Sequence, residues 1–281
     1  MTSILVTGAG GFIGKHLSTK LAEKKKYKIV KIDRSFGDIS EEKTWKKFPI
    51  CKTVIHLAGQ TFVPSSWVNP SRFLNTNVIS TILALDYCKK NKAKLILLSS
   101  YLYGNTRKTP IDETEAVKPT NPYAQSKKIS EDICKFYFNN YSINTVILRP
   151  FNVYGSGQKE HFLIPSILQQ IQSSKIISVT NLKAKRDFIY VKDLVDAIIK
   201  TIDLKKKFEI INIGSGKSYS VAEVIEAIQR IKGTNLRSKS KKETHDDEIL
   251  EIRADITKAK KLLNWNPAWS FEEGIKDSYG K

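Results

Sequence analysis

Short apolar runs alternate with amphipathic stretches over the first two-thirds of the chain. "SILVTG", "YKIVKID", "KTVIHLAG", "AKLILLSS" and "INTVILRP" are apolar or β-branched at nearly every position. That pattern predicts strands buried on both faces. Between them, apolar positions at helical spacing predict helices over 12–24, 41–47, 72–90 and 123–139. Strand–helix alternation of this kind implies an α/β fold built on a doubly wound parallel sheet. After Pro150 the rhythm loosens, with helices predicted over 163–173, 191–202 and 221–231 and short strands between them, including "FEIINIG". We therefore expect a first domain over 1–152 and a smaller α/β lobe, mainly 153–281. Segments within about 185–213 are expected to return to the first domain. The polar stretch "GTNLRSKSKKETHDDE" reads as a mobile surface loop.

Composition narrows the class. The 281 residues are 41% hydrophobic, enough for a sizeable core. No apolar run reaches the roughly 18–20 residues of a membrane span, and "ILVTG" already reads as a strand where a leader peptide would stand. The three cysteines, Cys51, Cys88 and Cys134, are far apart and form no C-x-x-C. This argues against disulfides and a zinc site, and for the cytoplasm. The formal charge of +19 raises the question of nucleic acid. The excess is mostly scattered lysine, in "EKKKYK", "DLKKKFE" and "TKAKK", and no nucleic-acid-binding module is present. Neither nucleic acid nor membrane is expected as a partner.

"TGAGGFIG" places Gly8, Gly11 and Gly14 between a strand and a helix. Gly8 suits a tight turn, Gly11 lets backbone approach a pyrophosphate, and Gly14 lets the helix pack closely. The loop and helix start, Gly8 and Gly11 through Phe12, Ile13 and Gly14, form the expected dinucleotide site. The second strand ends in Asp33, 19 residues past Gly14. A carboxylate there accepts from ribose hydroxyls and repels a 2′-phosphate, which favours NAD(H). Arg34 beside it could take up that phosphate, so NADP(H) stays open.

"NPYAQSK" reads as a helix start, with a turn-former and then proline in the first turn. Tyr123 and Lys127 share one helix face. An ammonium near a phenol favours phenolate, so the pair can serve as an acid–base device. A packed tyrosine beside a solvated lysine fits the same four-residue spacing.

These motifs extend nearly end to end. "TGAGGFIG", "HLAGQTFVPSSWVNP" with "NTNVIST", "LLSSYLYG", "NPYAQSK", "LRPFNVYG", "RDFIYVKDLVDAI", "INIGSG" and "ADITKAKKLLNW" follow in order. In this the chain resembles the extended short-chain dehydrogenase/reductase family, in its NAD-dependent epimerase/dehydratase branch acting on nucleotide sugars. The resemblance implies a Rossmann-type domain and a nucleotide-diphosphate-sugar substrate. It implies Tyr123 as acid/base at the sugar C4 oxygen, with Lys127 on the nicotinamide ribose lowering the tyrosine pKa. Ser100, or Ser99, would hydrogen-bond the same oxygen. Asp38 and Ile39 would lie by the adenine, Leu57, Ala58 and Gly59 along the cofactor, and Thr61, Asn152 and Arg186 against the substrate. Asn152 as a turn cap and Arg186 in an ion pair with Asp187 are the structural alternatives. The helices near 72–90 and 123–139 would form a homodimer interface.

Two departures bear on the reaction. Tyr101 and Leu102 follow Ser100 where sugar 4,6-dehydratases of the family carry Asp-Glu. Neither residue can supply the base and acid for loss of water, which argues against dehydration. The family's arginine near the C-terminus is missing from the stretch His245-Asp246-Asp247-Glu248, and Arg237 is a candidate replacement. The expected activity is reduction of an NDP-4-keto-6-deoxyhexose. The alternatives are a 4-epimerase and, with less support because Tyr123 and Lys127 are both kept, a non-catalytic cofactor-sensing module.

Overall fold

The computed structural model describes residues 1–104, 106, 108–241 and 251–280. Its strands are β1 (Thr2–Thr7), β2 (Tyr27–Ile32), β3 (Thr53–His56), β4 (Lys94–Leu98), β5 (Thr145–Pro150), β6 (Asn152–Tyr154), β7 (Ile176–Val179), β8 (Lys185–Tyr190), β9 (Phe208–Ile213), β10 (Ser218–Ser220), β11 (Arg237–Ser240) and β12 (Glu251–Ile252). Its helices are α1 (Phe12–Ala22), α2 (Glu42–Trp45), α3 (Val63–Val68), α4 (Pro70–Leu74), α5 (Ser80–Asn91), α6 (Pro122–Tyr141), α7 (Leu163–Ser173), α8 (Val191–Ile202), α9 (Val221–Lys232), α10 (Thr257–Leu263) and α11 (Phe271–Tyr279).

Six strands form an all-parallel sheet in the order β2-β1-β3-β4-β5-β9. Successive strand side chains point to opposite faces, so a strand that is apolar throughout must fill two cores. Ile4 and Val6, Ile96 and Leu98, and Val146 and Leu148 pack with Leu17 and Leu21 of α1 and Leu194 and Ile198 of α8. The residues between them, Leu5, Leu95, Leu97 and Ile147, pack on the other face with Ala84, Leu85 and Cys88 of α5 and Cys134 of α6. The Rossmann-type sheet with helices on both sides is thus the direct outcome of period-two burial.

The smaller lobe holds β8, flanked by antiparallel β10 and parallel β12, with β6 also paired to β8. β9 closes the edge of the main sheet, whereas β8 belongs to the smaller one. Asp187 anchors the turn after β9. It is buried and accepts from Ser215 N, Ser215 Oγ, Gly216 N and Ala254 N at 2.7–3.1 Å. Its carboxylate therefore faces inward, which removes the reading of Arg186–Asp187 as a surface ion pair.

Two local expectations change. The single helix over 72–90 is interrupted by a π-helical turn, Asn75–Ile79, between α4 and α5. The Asn77 carbonyl at this turn accepts from the Thr81 hydroxyl (2.7 Å) and from the hydroxyl of Ser130 of α6 (3.2 Å), so side chains hold the irregular turn against α6. Within the stretch read as a mobile loop, Arg237–Ser240 forms β11, parallel to β7. Its side chains are all exposed, so backbone pairing alone sets the strand and no apolar pattern announces it. Residues 245–248, where the family arginine is missing, lie outside the described residues.

Candidate active site

A parallel sheet leaves a crevice at the carboxyl ends of its strands where the winding direction reverses. Here that point lies between β1 and β3. Gly8 follows β1 at φ +69°, and a Cβ on it would sit 2.8 Å from the Ala58 nitrogen beyond β3. Gly14 touches the same turn, where a Cβ would fall 2.1 Å from the Gly8 carbonyl. Gly11 is the N-cap of α1 and makes no side-chain cap, and no acidic residue occupies the first turn. The helix start therefore offers free N–H groups suited to phosphate.

The cleft above these turns measures about 1760 Å³, beyond the roughly 300–1,000 Å³ usual for one small ligand. It has room for a dinucleotide and a nucleotide sugar together. Phe12, Ile13, Arg34, Asp38, Ile39, Leu57, Ala58 and Gly59 line it, as do Thr61, Asn152 and Arg186. Asp33 lines it too, its Oδ1 accepting from Ser35 N (2.9 Å) and Ser35 Oγ (2.6 Å). These bonds hold the carboxyl below its usual pKa, so it stands beside Gly10 as an anion. Asp38 is held the same way by Ser40. Asn152 donates to the Asp187 carbonyl (3.0 Å) and accepts from Tyr101 Oη (3.3 Å). Arg237, on β11, is not among the residues lining the cleft.

Helix α6 begins where the motif places it. Asn121 Oδ1 accepts from Ala124 N at 2.9 Å, and Pro122 follows at the first helical position. Tyr123 and Lys127 both line the cleft from this helix. Lys127 is 6% exposed and donates to the Leu98 carbonyl at 2.8 Å, at the end of β4. Burial holds its ammonium down to about 8, while the Glu131 carboxylate pulls the other way. Gly59 leaves the space above it, since a Cβ there would lie 2.8 Å from Asn77 Oδ1 and 3.7 Å from Lys127 Nζ.

Tyr123 stands in the cleft as a buried phenol. Burial pushes its phenol up to about 12, and a hydrogen bond with Ser100 is what opposes the rise. The ammonium of Lys127 is directed at the Leu98 carbonyl, and the phenol stays protonated. The Ser99 hydroxyl donates to buried Glu131 Oε1 at 2.6 Å. Ser100 lines the cleft together with Tyr123, and its hydroxyl opposes the rise in the phenol pKa. Leu102 is buried, and Tyr101 stacks on Phe151 at 5.1 Å.

Several contributors were not singled out in the sequence. Asn77, 2% exposed, accepts from Gln60 N (2.8 Å) and donates to Gln60 O (3.1 Å) and Ser126 Oγ (2.9 Å). It ties the loop after β3 to α6. His56 is buried between Thr7 Oγ1 (2.8 Å) and Ser80 Oγ (3.0 Å). Burial, with the Lys127 charge, pushes it down to about 3, so it is neutral. Asn77 lies within "NTNVIST", but only the π-helical turn reveals what it holds.

The model of the NAD dependent epimerase/dehydratase family matches residues 4–214. The chain belongs to that family. It is an NAD(P)-dependent enzyme of the extended short-chain dehydrogenase/reductase group, in the branch that reduces or epimerises nucleotide sugars. A putative UDP-glucose 4-epimerase of Methanocaldococcus jannaschii is 32% identical, covering 97% of this chain and 96% of the relative. A GDP-6-deoxy-D-mannose reductase of Pseudomonas aeruginosa is 28% identical over 97% of this chain and 94% of its own. The solved structure of RMD from Pseudomonas aeruginosa complexed with NADPH superposes with a TM-score of 0.90 at 26% identity, covering 99% and 97% of the two chains. Among the described residues of this epimerase/dehydratase-family chain, no helix is long and apolar enough to cross a membrane.

Lys127 makes a pH-dependent contribution to stability. Its folded pKa, about 8, lies below the ordinary 10.5. Between these values the unfolded chain keeps a proton that the folded chain has released. Stability therefore rises with pH across that window. Relative to Lys127→Met, the wild type should gain up to about 3 kcal/mol from pH 8 to 10.5. Urea unfolding of both proteins at several pH values checks this, and parallel curves would contradict it.

Proposed function

We propose that this protein reduces the 4-keto group of an NDP-4-keto-6-deoxyhexose, using NAD(H) in preference to NADP(H). The observation that carries the reading is that Tyr123, Ser100 and Lys127 line one cleft, the tyrosine and lysine one turn apart at the start of α6. Reduction of a ketone requires a proton for the developing alkoxide, and a protonated phenol within reach of the oxygen can give one. Tyr123 gives that proton to the C4 oxygen, and Ser100 hydrogen-bonds the same oxygen and fixes its direction. Lys127 stays close to the ribose side of the site as an ammonium and restores the charge balance when the phenol ionises. Gly8, Gly11, Gly14 and Asp33 would hold the dinucleotide, which supplies hydride exchange at the sugar carbon when bound. Tyr101 and Leu102 offer no carboxylate for loss of water, so dehydration is set aside.

A 4-epimerase is the second reading. The same three residues would serve it, and the identity to a putative UDP-glucose 4-epimerase supports it. We also read the chain as a homodimer through α5 and α6, where Ile79 just before α5 and Phe136 and Tyr141 of α6 remain 38%, 55% and 43% exposed.

Product analysis separates the readings. The protein is incubated with UDP-, dTDP- and GDP-linked sugars and their 4-keto-6-deoxy forms, with and without reduced cofactor. Stoichiometric cofactor oxidation with a 4-keto sugar is expected. Interconversion of two sugars without net oxidation would favour the epimerase instead. Tyr123→Phe should lower turnover by about 10²–10⁴-fold while cofactor binding survives, and unchanged turnover would remove the proposed acid. Asp33→Ala should move cofactor preference toward NADPH by about tenfold, or about 1.4 kcal/mol. An unmoved ratio of NADH to NADPH efficiency would count against its role.

A further inference from the structure

Beneath the cleft lies a buried charged network that the proposed reaction does not use. Glu131 stands one helical turn beyond Lys127 on α6 and is 3% exposed. Its Oε1 accepts from Ser99 Oγ (2.6 Å) and Arg149 Nε (3.1 Å), and its Oε2 accepts from a second Arg149 nitrogen at 2.6 Å. Arg149, on β5, is 4% exposed and also donates to Tyr103 Oη at 2.9 Å. Tyr103 donates to Asn212 Oδ1 of β9 at 2.6 Å. One carboxylate thus joins α6, the end of β4, β5 and, through Tyr103, β9.

A buried ion pair is a poor stabiliser, because desolvating both charges offsets most of their attraction. An apolar pair of similar size would fill the same space, so the carboxylate calls for another explanation. Its position supplies one. Lys127 is itself a buried cation, and burial alone drives it toward the neutral amine. Few charges surround it. Tyr123 and Cys134 of α6 are protonated, with burial raising both. Cys88 of α5 is likewise raised by burial, and His56 of β3 is neutral. Arg149 adds positive charge from β5, and it is bound by Glu131. Among the described residues packed around Lys127, Glu131 is the anion.

We propose that Glu131 is a positioning residue of the active site, keeping Lys127 an ammonium at the cleft floor while Arg149 and Ser99 hold the carboxylate in place. This rests on the reading of Lys127 as the cation that supports Tyr123. Removing the carboxylate acts twice. It takes away the attraction and leaves the Arg149 charge uncompensated nearby, and both changes favour the neutral amine. Removing Glu131 and Arg149 together cancels only the first charge's benefit. The Lys127 pKa should therefore fall in the order wild type, then Glu131→Gln with Arg149→Met, then Glu131→Gln alone.

The test needs no substrate. Full-length protein labelled with ¹³C-lysine is titrated and the Cε resonances are followed by NMR. Two lysines should titrate near 8, Lys94 and Lys127, both held down by burial. Lys127→Met identifies the second. The Lys127 midpoint should drop by about one pH unit or more in Glu131→Gln, with the double variant in between. An unmoved midpoint overturns the proposal, because loss of packing alone would lower stability without shifting it. If Glu131→Gln does not fold, the double variant decides: a midpoint below wild type supports the proposal and one at or above it refutes it. Failure here is distinct from failure of the catalytic reading. Turnover by Tyr123→Phe would sink the latter and leave this titration standing.

Discussion

A buried ammonium bound to the last carbonyl of a central strand sets the geometry of this site. Lys127 reaches Leu98 at 2.8 Å, which fixes α6 against the end of β4. Much of the local sequence follows from that contact. Nearby, Gly59 lacks the Cβ that would press against Asn77 Oδ1. The helix must start at Asn121 with a cap strong enough to place Tyr123 four residues before the lysine. The facing helix must open into a π-turn so that Asn77 can hold both Gln60 and Ser126. These features lie on four separate segments that meet at the floor of the cleft.

The parts of the fold legible in the sequence are those governed by one-dimensional patterns. β1, β3, β4 and β5 are apolar on both faces, and no other arrangement buries such strands so fully. Helices α7 and α8 have the predicted bounds because their apolar stripes run from end to end. The glycine spacing in the first loop also had a unique steric reading at Gly8 and Gly14. What escaped depends on three dimensions. Which of Ser99 and Ser100 turns inward is decided by Glu131, 32 residues away from Ser99. β11 is a strand of polar residues defined by its partner alone. The direction of the Tyr123 shift depends on how much water the cleft walls remove, and a Tyr–Lys spacing contains no information about that.

Without cofactor the phenol is protonated, and in the proposed reduction the nearby cation matters most after the proton has left. On that proposal Tyr123 would deliver a proton to an oxygen at sugar C4, with Ser100 as its guide. Charge is supplied at fixed places around the cleft by Asp33, Lys127 and Arg186.

The most direct examination of this account is a crystal structure with oxidised dinucleotide and an NDP-6-deoxyhexose bound together. The account predicts the sugar C4 oxygen at about 2.6–3.2 Å from both Tyr123 Oη and Ser100 Oγ. A complex that presents a different sugar carbon to the phenol, or holds the sugar away from Ser100, would contradict it.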